Sequence, residues 1–250
     1  MNCTWKNAAS CLKIFKAVQH TNPMVNIDFD VRGVHIMAMD TSKTSLVQLE
    51  LEANYFENYS CTEPMTLGIY TETLTNILQK VKKDKLNWKS VNGNVLTIVC
   101  SVSDQKTEFS LRAIDIEEDT LAIPELQDNV AVIMDRDALK GVMDKILMGK
   151  TDMRVDIENK VMMLSSESTE FGKISHVEPI GGERVQQSAY LQDVHITLSF
   201  HATKSMFVFS GCGNGSCFIG FSNDMPSRLK VELGPGSSLC LYVAPKIQDE

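Results

Sequence analysis

Residues 25–38 read VNIDFDVRGVHIMA, and residues 153–166 read MRVDIENKVMMLSS. Laid over one another, they place Ile27-Asp28-Phe29 on Val155-Asp156-Ile157. In each, apolar and polar residues alternate, break at a short polar turn, and run on into a second strand-like stretch. That is the period of paired strands with one buried face. Each stretch also follows a segment of helical spacing. The two copies therefore open the same succession of elements, which predicts a tandem duplication.

Most of the chain reads as strand. Alternation recurs at residues 45–52, 95–102, 107–113 and 217–222, and the Arg-Gly and Asn-Gly pairs in DVRGV (30–34) and VNGNV (91–95) supply hairpin turns. Four segments have helical spacing. Residues 8–20 align Cys11, Leu12, Phe15 and Val18; residues 72–83 align Leu74, Ile77, Leu78 and Val81. Residues 136–148 align Leu139, Val142, Met143 and Ile146; residues 201–210 align Ala202, Met206 and Phe209. The fold class is α+β, with one mostly β domain over 1–113 and a similar one over 130–250. The acidic, Pro-containing stretch IDIEEDTLAIPELQDN (114–129) is expected to be an exposed connector.

Composition narrows the function. With 250 residues, 43% of them apolar, the chain can build large cores, and disorder is not expected. A net charge of −8 argues against a protein that coats nucleic acid with its whole surface, but leaves room for a local basic face. Lys6, Lys13 and Lys16 interrupt the first segment, so no secretory leader is expected. Seven cysteines without a spacing framework read as reduced intracellular thiols. Ser205 to Asn223 carries no charge, but its GCGNGS centre reads as a turn, so no membrane span is expected.

No catalytic or metal pattern emerges. The five histidines are dispersed, and no GxSxG, HExxH, Walker or GxGxxG motif occurs. In CGNGSC, Cys212 and Cys217 have His201 and Cys240 as helpers for zinc; a hairpin turn with two small core residues is the simpler reading. Charge is more telling. Met1 to Asn26 holds no acid, and Lys13, Lys16 and His20 share a stripe opposite the apolar face of the first helix. The second helix repeats this with Asn76, Gln79, Lys80 and Lys83, and KVKKDK adds Lys82 and Lys85. The third is mixed, with Arg136, Lys140, Lys145 and Lys150 against Asp135, Asp137 and Asp144; the fourth offers Lys204. Two such stripes in an acidic protein imply a gathered basic surface.

Four stretches resemble one family. MAMDTSKTSLVQLEL (37–51), LAIPE (121–125), the terminal APKIQDE (244–250) and the N-terminal SCLKIFKAV (10–18) are similar to motifs of the proliferating cell nuclear antigen family of sliding DNA clamps. The resemblance implies a DNA-clamp fold and a homotrimeric ring. Two similar domains per subunit would carry antiparallel β-sheets, with two helices each lining the hole. Duplex DNA would be held through phosphates by Lys13, Lys16, His20, Lys80, Lys82, Lys83, Lys140, Lys145 and Lys204. DNA polymerase and other clients would bring a Gln-x-x-aliphatic-x-x-aromatic-aromatic peptide to a pocket of Met39, Lys43, Thr44, Leu46, Leu121, Ile123, Pro124, Pro226, Tyr242, Val243, Ala244 and Pro245. Subunits would meet at Phe109 and Leu111 on one edge and Ile174 and His176 on the other.

The resemblance further implies no catalysis, no cofactor and no membrane, an ATP-dependent loader as partner, and work in a nucleus or at a viral replication site. The chain departs from the family at Lys43 and Thr44, where His and Val are common, and at Gly141 and Asp144, where arginines are usual. Two other readings are a subunit of a heterotrimeric checkpoint-type clamp and a metal-dependent hydrolase on a β-rich fold.

Overall fold

The computed structural model describes residues 1–81, 84–117, 126–213 and 215–246. The first half runs β1 (Asn2–Trp5), α1 (Ala8–Thr21), β2 (Met24–Phe29), β3 (Gly33–Met39), β4 (Ser45–Glu52), β5 (Asn58–Ser60), β6 (Met65–Tyr70), α2 (Thr71–Lys80), β7 (Lys85–Lys89), β8 (Val95–Val102) and β9 (Gln105–Arg112). The second runs β10 (Val130–Asp135), α3 (Arg136–Leu147), β11 (Met153–Glu158), β12 (Val161–Ser168), β13 (Gly172–Pro179), β14 (Val185–Tyr190), β15 (Val194–Leu198), α4 (Phe200–Ser210), β16 (Ser216–Phe221), β17 (Ser227–Gly234) and β18 (Ser237–Val243).

The duplication is complete at the level of topology. Strand order β5-β1-β7-β8-β9 in the first half corresponds to β14-β10-β16-β17-β18 in the second, and β4-β3-β2-β6 corresponds to β13-β12-β11-β15. The two opening stretches are β2–β3 and β11–β12, both antiparallel hairpins. Ile27, Phe29, Val155 and Ile157 are all buried, as the overlay requires. By contacts the chain forms two compact units. One is Met1–Thr41, Val47–Ala122 and Leu233–Leu239; the other is Ser42–Leu46, Ile123–Glu232 and Cys240–Glu250. Each is α+β with its own core. In the first, Trp5 packs against Phe56 and Trp88, both at 5.1 Å between ring centroids. In the second, Val155, Met143, Phe209 and Phe221 are buried.

The helices depart from the expected spans for local reasons. α2 stops at Lys80 rather than residue 83, because Val81 turns its N–H to the carbonyls of Ile77 and Leu78 and buries its side chain. Asn7 caps α1 by accepting from the N–H groups of Ala9 and Ser10. The GCGNGS segment joins α4 to β16 and is not the hairpin turn expected. Among the described residues, no helix is long and apolar enough to cross a membrane.

Where the chain leaves the first unit, Gly68 bridges Ile114, and a Cβ on Gly68 would lie 2.1 Å from the Ile114 carbonyl oxygen. Asn26 also donates to the Ile116 carbonyl at 3.1 Å. Where it enters the second, Asn129 donates to Phe221 at 2.9 Å, and Asp128 is buried. The acidic stretch 114–129, expected to be exposed, is thus tied down at both ends.

Candidate nucleic-acid interface and peptide-binding wall

α1 is buried on most of its circumference, and Lys13 and Lys16 are its exposed residues. His20 is half-buried in the last turn, where the helix dipole favours a cation. α1 and α2 pack together, and the Thr75 hydroxyl bonds Gln19 Oε1 at 2.7 Å. The outward stripe of α2 holds Asn76, Gln79 and Lys80. Lys82 and Lys83 lie outside the described residues. Lys85, expected to extend this stripe, belongs to β7 and pairs with Glu57 at 3.1 Å.

In the second unit, Asp135 caps α3 and Ser199 caps α4. Arg136 is turned inward: it donates to the Gly213 carbonyl at 2.6 Å and meets Asp137 at 3.0 Å. Lys140 is half-buried with its ammonium 5.6 Å from the ring centre of Phe207 on α4, a cation–π contact. Lys145 and Lys204 are exposed, but so are Asp137, Gly141 and Asp144 on α3. The first unit therefore has the cleaner basic stripe.

The chain's last described segment has a split character. Leu241 and Val243 close the core of the second unit. Tyr242, Ala244 and Pro245 remain half-exposed. The Ala244 N–H donates to the Thr44 carbonyl at 2.8 Å, and the Lys246 N–H donates to that of Thr197 at 2.7 Å. Leu46 is buried, Pro226 half-exposed, and Lys43 sits at a loop tip with a left-handed φ of 57°. Burial pushes the Tyr242 phenol up to about 12. Sequence reasoning missed Arg228, which bonds Asp128 at 2.6 Å and lies 4.8 Å above the ring of Phe218. In the first unit, Met39 is partly exposed at the end of β3, and its carbonyl accepts from the Asn22 amide at 2.8 Å. Leu121, Ile123 and Pro124 lie outside the described residues.

β9 and β13 are two of the strands that end their sheets. β9 pairs with β8 and β13 with β12, and among the described residues neither has a neighbour on its other side. On β9, Phe109 is half-exposed and Leu111 buried; with Tyr70, Thr73 and Ile77 they line a cleft of about 470 Å3. On β13, Ile174 and His176 are half-exposed, and His176 lies 3.0 Å from Glu178.

The sequence model described as "Proliferating cell nuclear antigen, N-terminal domain" matches residues 1–121. The proliferating cell nuclear antigen of Chaetomium thermophilum is 25% identical, covering 98% of this chain and 97% of that one. Residues 1–121 thus carry the N-terminal domain of the proliferating cell nuclear antigen family. A further relative, the "Probable DNA polymerase sliding clamp 2" of Paramecium bursaria Chlorella virus 1, is 24% identical over 97% of this chain and 89% of its own. The fold matches the crystal structure of the Entamoeba histolytica family member with a TM-score of 0.87 at 22% identity, covering 98% of both chains.

Burial raises Cys217 to about 11 and Cys100 to about 11, which makes them poor nucleophiles. Among the described residues, no three His, Cys, Asp or Glu side chains converge as metal ligands do.

Proposed function

We propose that this chain is a sliding DNA clamp, a homotrimeric processivity factor that encircles duplex DNA and recruits a polymerase. The observation that carries this reading is the exact repetition of one topology in two halves of a chain whose full-length relatives are named DNA polymerase sliding clamps. Each half carries a pair of packed helices, and in the first half the exposed side chains of α1 are lysines. A clamp must hold DNA without stopping on it. Phosphate contacts that read no bases do this, and their weakness is tolerable because ring closure retains the DNA.

The remaining parts follow the same logic. The open edges β9 and β13 would pair head-to-tail between copies, closing a ring of three. The half-exposed Tyr242, Ala244 and Pro245, with Thr44, Leu46 and Pro226, would form the second unit's wall of a client-peptide pocket. Residues 114–129 would be the connecting loop between domains 1–113 and 130–250. A separate ATP-dependent loader would open the ring, in a nucleus or at a viral replication site, and the chain itself would catalyse nothing.

The test is topological. Loaded on a nicked circular plasmid, the protein should stay bound through gel filtration and be lost when the plasmid is cut once. Light scattering should give three times 27.9 kDa. Retention that ignores plasmid topology would overturn the reading. A chain that forms rings only with other subunits would point to a checkpoint-type clamp.

A further inference from the structure

Asp152 lies between α3 and β11, and its two carboxylate oxygens serve different segments. Oδ1 accepts from the backbone N–H of Phe200, the first residue of α4, at 3.0 Å. Oδ2 takes the Lys246 ammonium at 2.6 Å. Lys246 stands just beyond β18, immediately after Pro245. Its own N–H is already bonded to Thr197, and that of Ala244 to Thr44. Pro245, which has no N–H, is thus held between two bonded neighbours, and the Asp152 carboxylate adds a side-chain tether to the second.

We propose that Asp152 is a positioning residue for the peptide-binding wall: through Lys246 it holds Ala244 and Pro245 in place before a peptide arrives. The inference rests on the pocket reading given above. The pair is placed poorly for stabilising the fold, since the Lys246 side chain is 57% and that of Asp152 35% exposed, and exposed pairs contribute little. Its value lies in order. A wall that is already fixed loses less conformational freedom when a ligand docks on it. The pairing spans 94 residues of sequence, and nothing in the acidic or basic pattern announces it.

Two substitutions separate this role from helix capping. Asp152→Asn keeps an oxygen for the Phe200 N–H but loses the charge. Lys246→Met keeps most of the side-chain length and loses the ammonium. The probe is a synthetic fluorescein-labelled peptide with the Gln-x-x-Leu-x-x-Phe-Phe pattern. Each variant of the full-length protein should bind it about two- to fivefold more weakly than wild type. The double variant should be no weaker than either single one, because both remove the same interaction. Amide exchange at Ala244 should quicken in both, with thermal midpoints unchanged, and the affinity gap should narrow in high salt.

Wild-type affinity in Asp152→Asn would overturn the proposal. So would additive losses, which would mean that Lys246 touches the peptide on its own account. A wild type that binds no peptide, with exchange at Ala244 still quickened by Asp152→Asn, would overturn the pocket reading and reduce Asp152 to an anchor of the tail.

Discussion

His35 is hydrogen-bonded through Nδ1 to Glu50, while its Nε2 lies 3.2 Å from Oδ1 of Asp30. The Glu50 bond, opposed by burial and helped by Asp30, raises the imidazole's affinity for its proton. Reciprocally, His35 lowers the pKa of Glu50. Burial tends to raise Asp30, but bonds from Arg32, His35 and the Gly33 N–H outweigh it and hold the carboxyl at about 2. His35, raised in the folded state, contributes fully below its ordinary value of 6.5 and loses that contribution as pH rises through its folded value. Glu50, lowered, contributes above its ordinary 4.5 and loses that as pH falls through its folded value. His35→Gln should therefore destabilise the first unit most in mildly acidic solution and least toward pH ~9. Trp5 and Trp88 both lie in that unit's core, so tryptophan emission during urea unfolding reads it directly. A mutant deficit independent of pH would rule out the ion pair as the cause.

On the DNA side, the two units should not contribute equally. Lys13→Glu with Lys16→Glu removes the exposed cations of α1, while Lys145→Glu with Lys204→Glu acts on helices that already expose Asp137 and Asp144. Each lost phosphate contact should flatten the log–log salt dependence of DNA binding by roughly 0.9. The first pair should approach twice that value, and the second should fall short of it. Surface changes of this kind move stability by about ±0.5 kcal/mol. Equal slopes for the two double variants would place the contacts evenly across both units.

Gly141 offers a cleaner measurement on α3. It is exposed within the helix, and a Cβ built on it meets nothing within 4 Å. Among the described residues, no packing requires a glycine there. Gly141→Ala should stabilise the second unit by about 1 kcal/mol in chemical denaturation followed by circular dichroism. Unchanged or lowered stability would mean that the helix is strained at this position.

At the open edges, Phe109→Asp should give soluble monomers by light scattering. The half-exposed ring borders the β9 cleft, and a carboxylate there would be buried without a partner in any assembly that covers it. Tryptophan emission should match wild type, since Phe109 lies outside the Trp5 and Trp88 cluster. A trimer that persists would move the interface to other strands.

Much of this was legible in the sequence because it is periodic. Leu139, Val142, Met143 and Ile146 at helical spacing are the buried residues of α3. The alternation at 45–52 and 95–102 gives the bounds of β4 and β8. The ends and pairings were not legible, because they depend on residues far apart. α2 stops where Val81 finds a place in the core, which spacing within the helix does not encode. Lys85 looked like part of a helical stripe until β7 set it beside Glu57. Asp128 and Arg228 are 100 residues apart, and each alone reads as a solvated charge. The tail is a mixed case: its apolar content marked it as unusual, but which side chains enter the core and which stay half-exposed is decided by the end of β18.

The Asp128–Arg228 pair also depends on Gly220. A Cβ on Gly220 would lie 2.2 Å from Oδ1 of Asp128 and 2.4 Å from its Cγ, too close for both to keep their places. Glycine at this position is what lets the carboxylate lie against β16 and reach Arg228, whose guanidinium covers Phe218. Gly220→Ala must displace a buried carboxylate or bend the strand. It should destabilise the second unit by about 1–3 kcal/mol, the range for overpacking a well-filled site. The clash is with a carboxylate, so Asp128→Ala in the Gly220→Ala background should recover part of the loss, although Asp128→Ala alone is destabilising because it strips Arg228 of its partner. Urea unfolding followed by circular dichroism on the four proteins completes the cycle, with tryptophan emission as the reference for the first unit. Strictly additive effects would mean that Gly220 and Asp128 do not share this space, and that Asp128 is held by Arg228 alone.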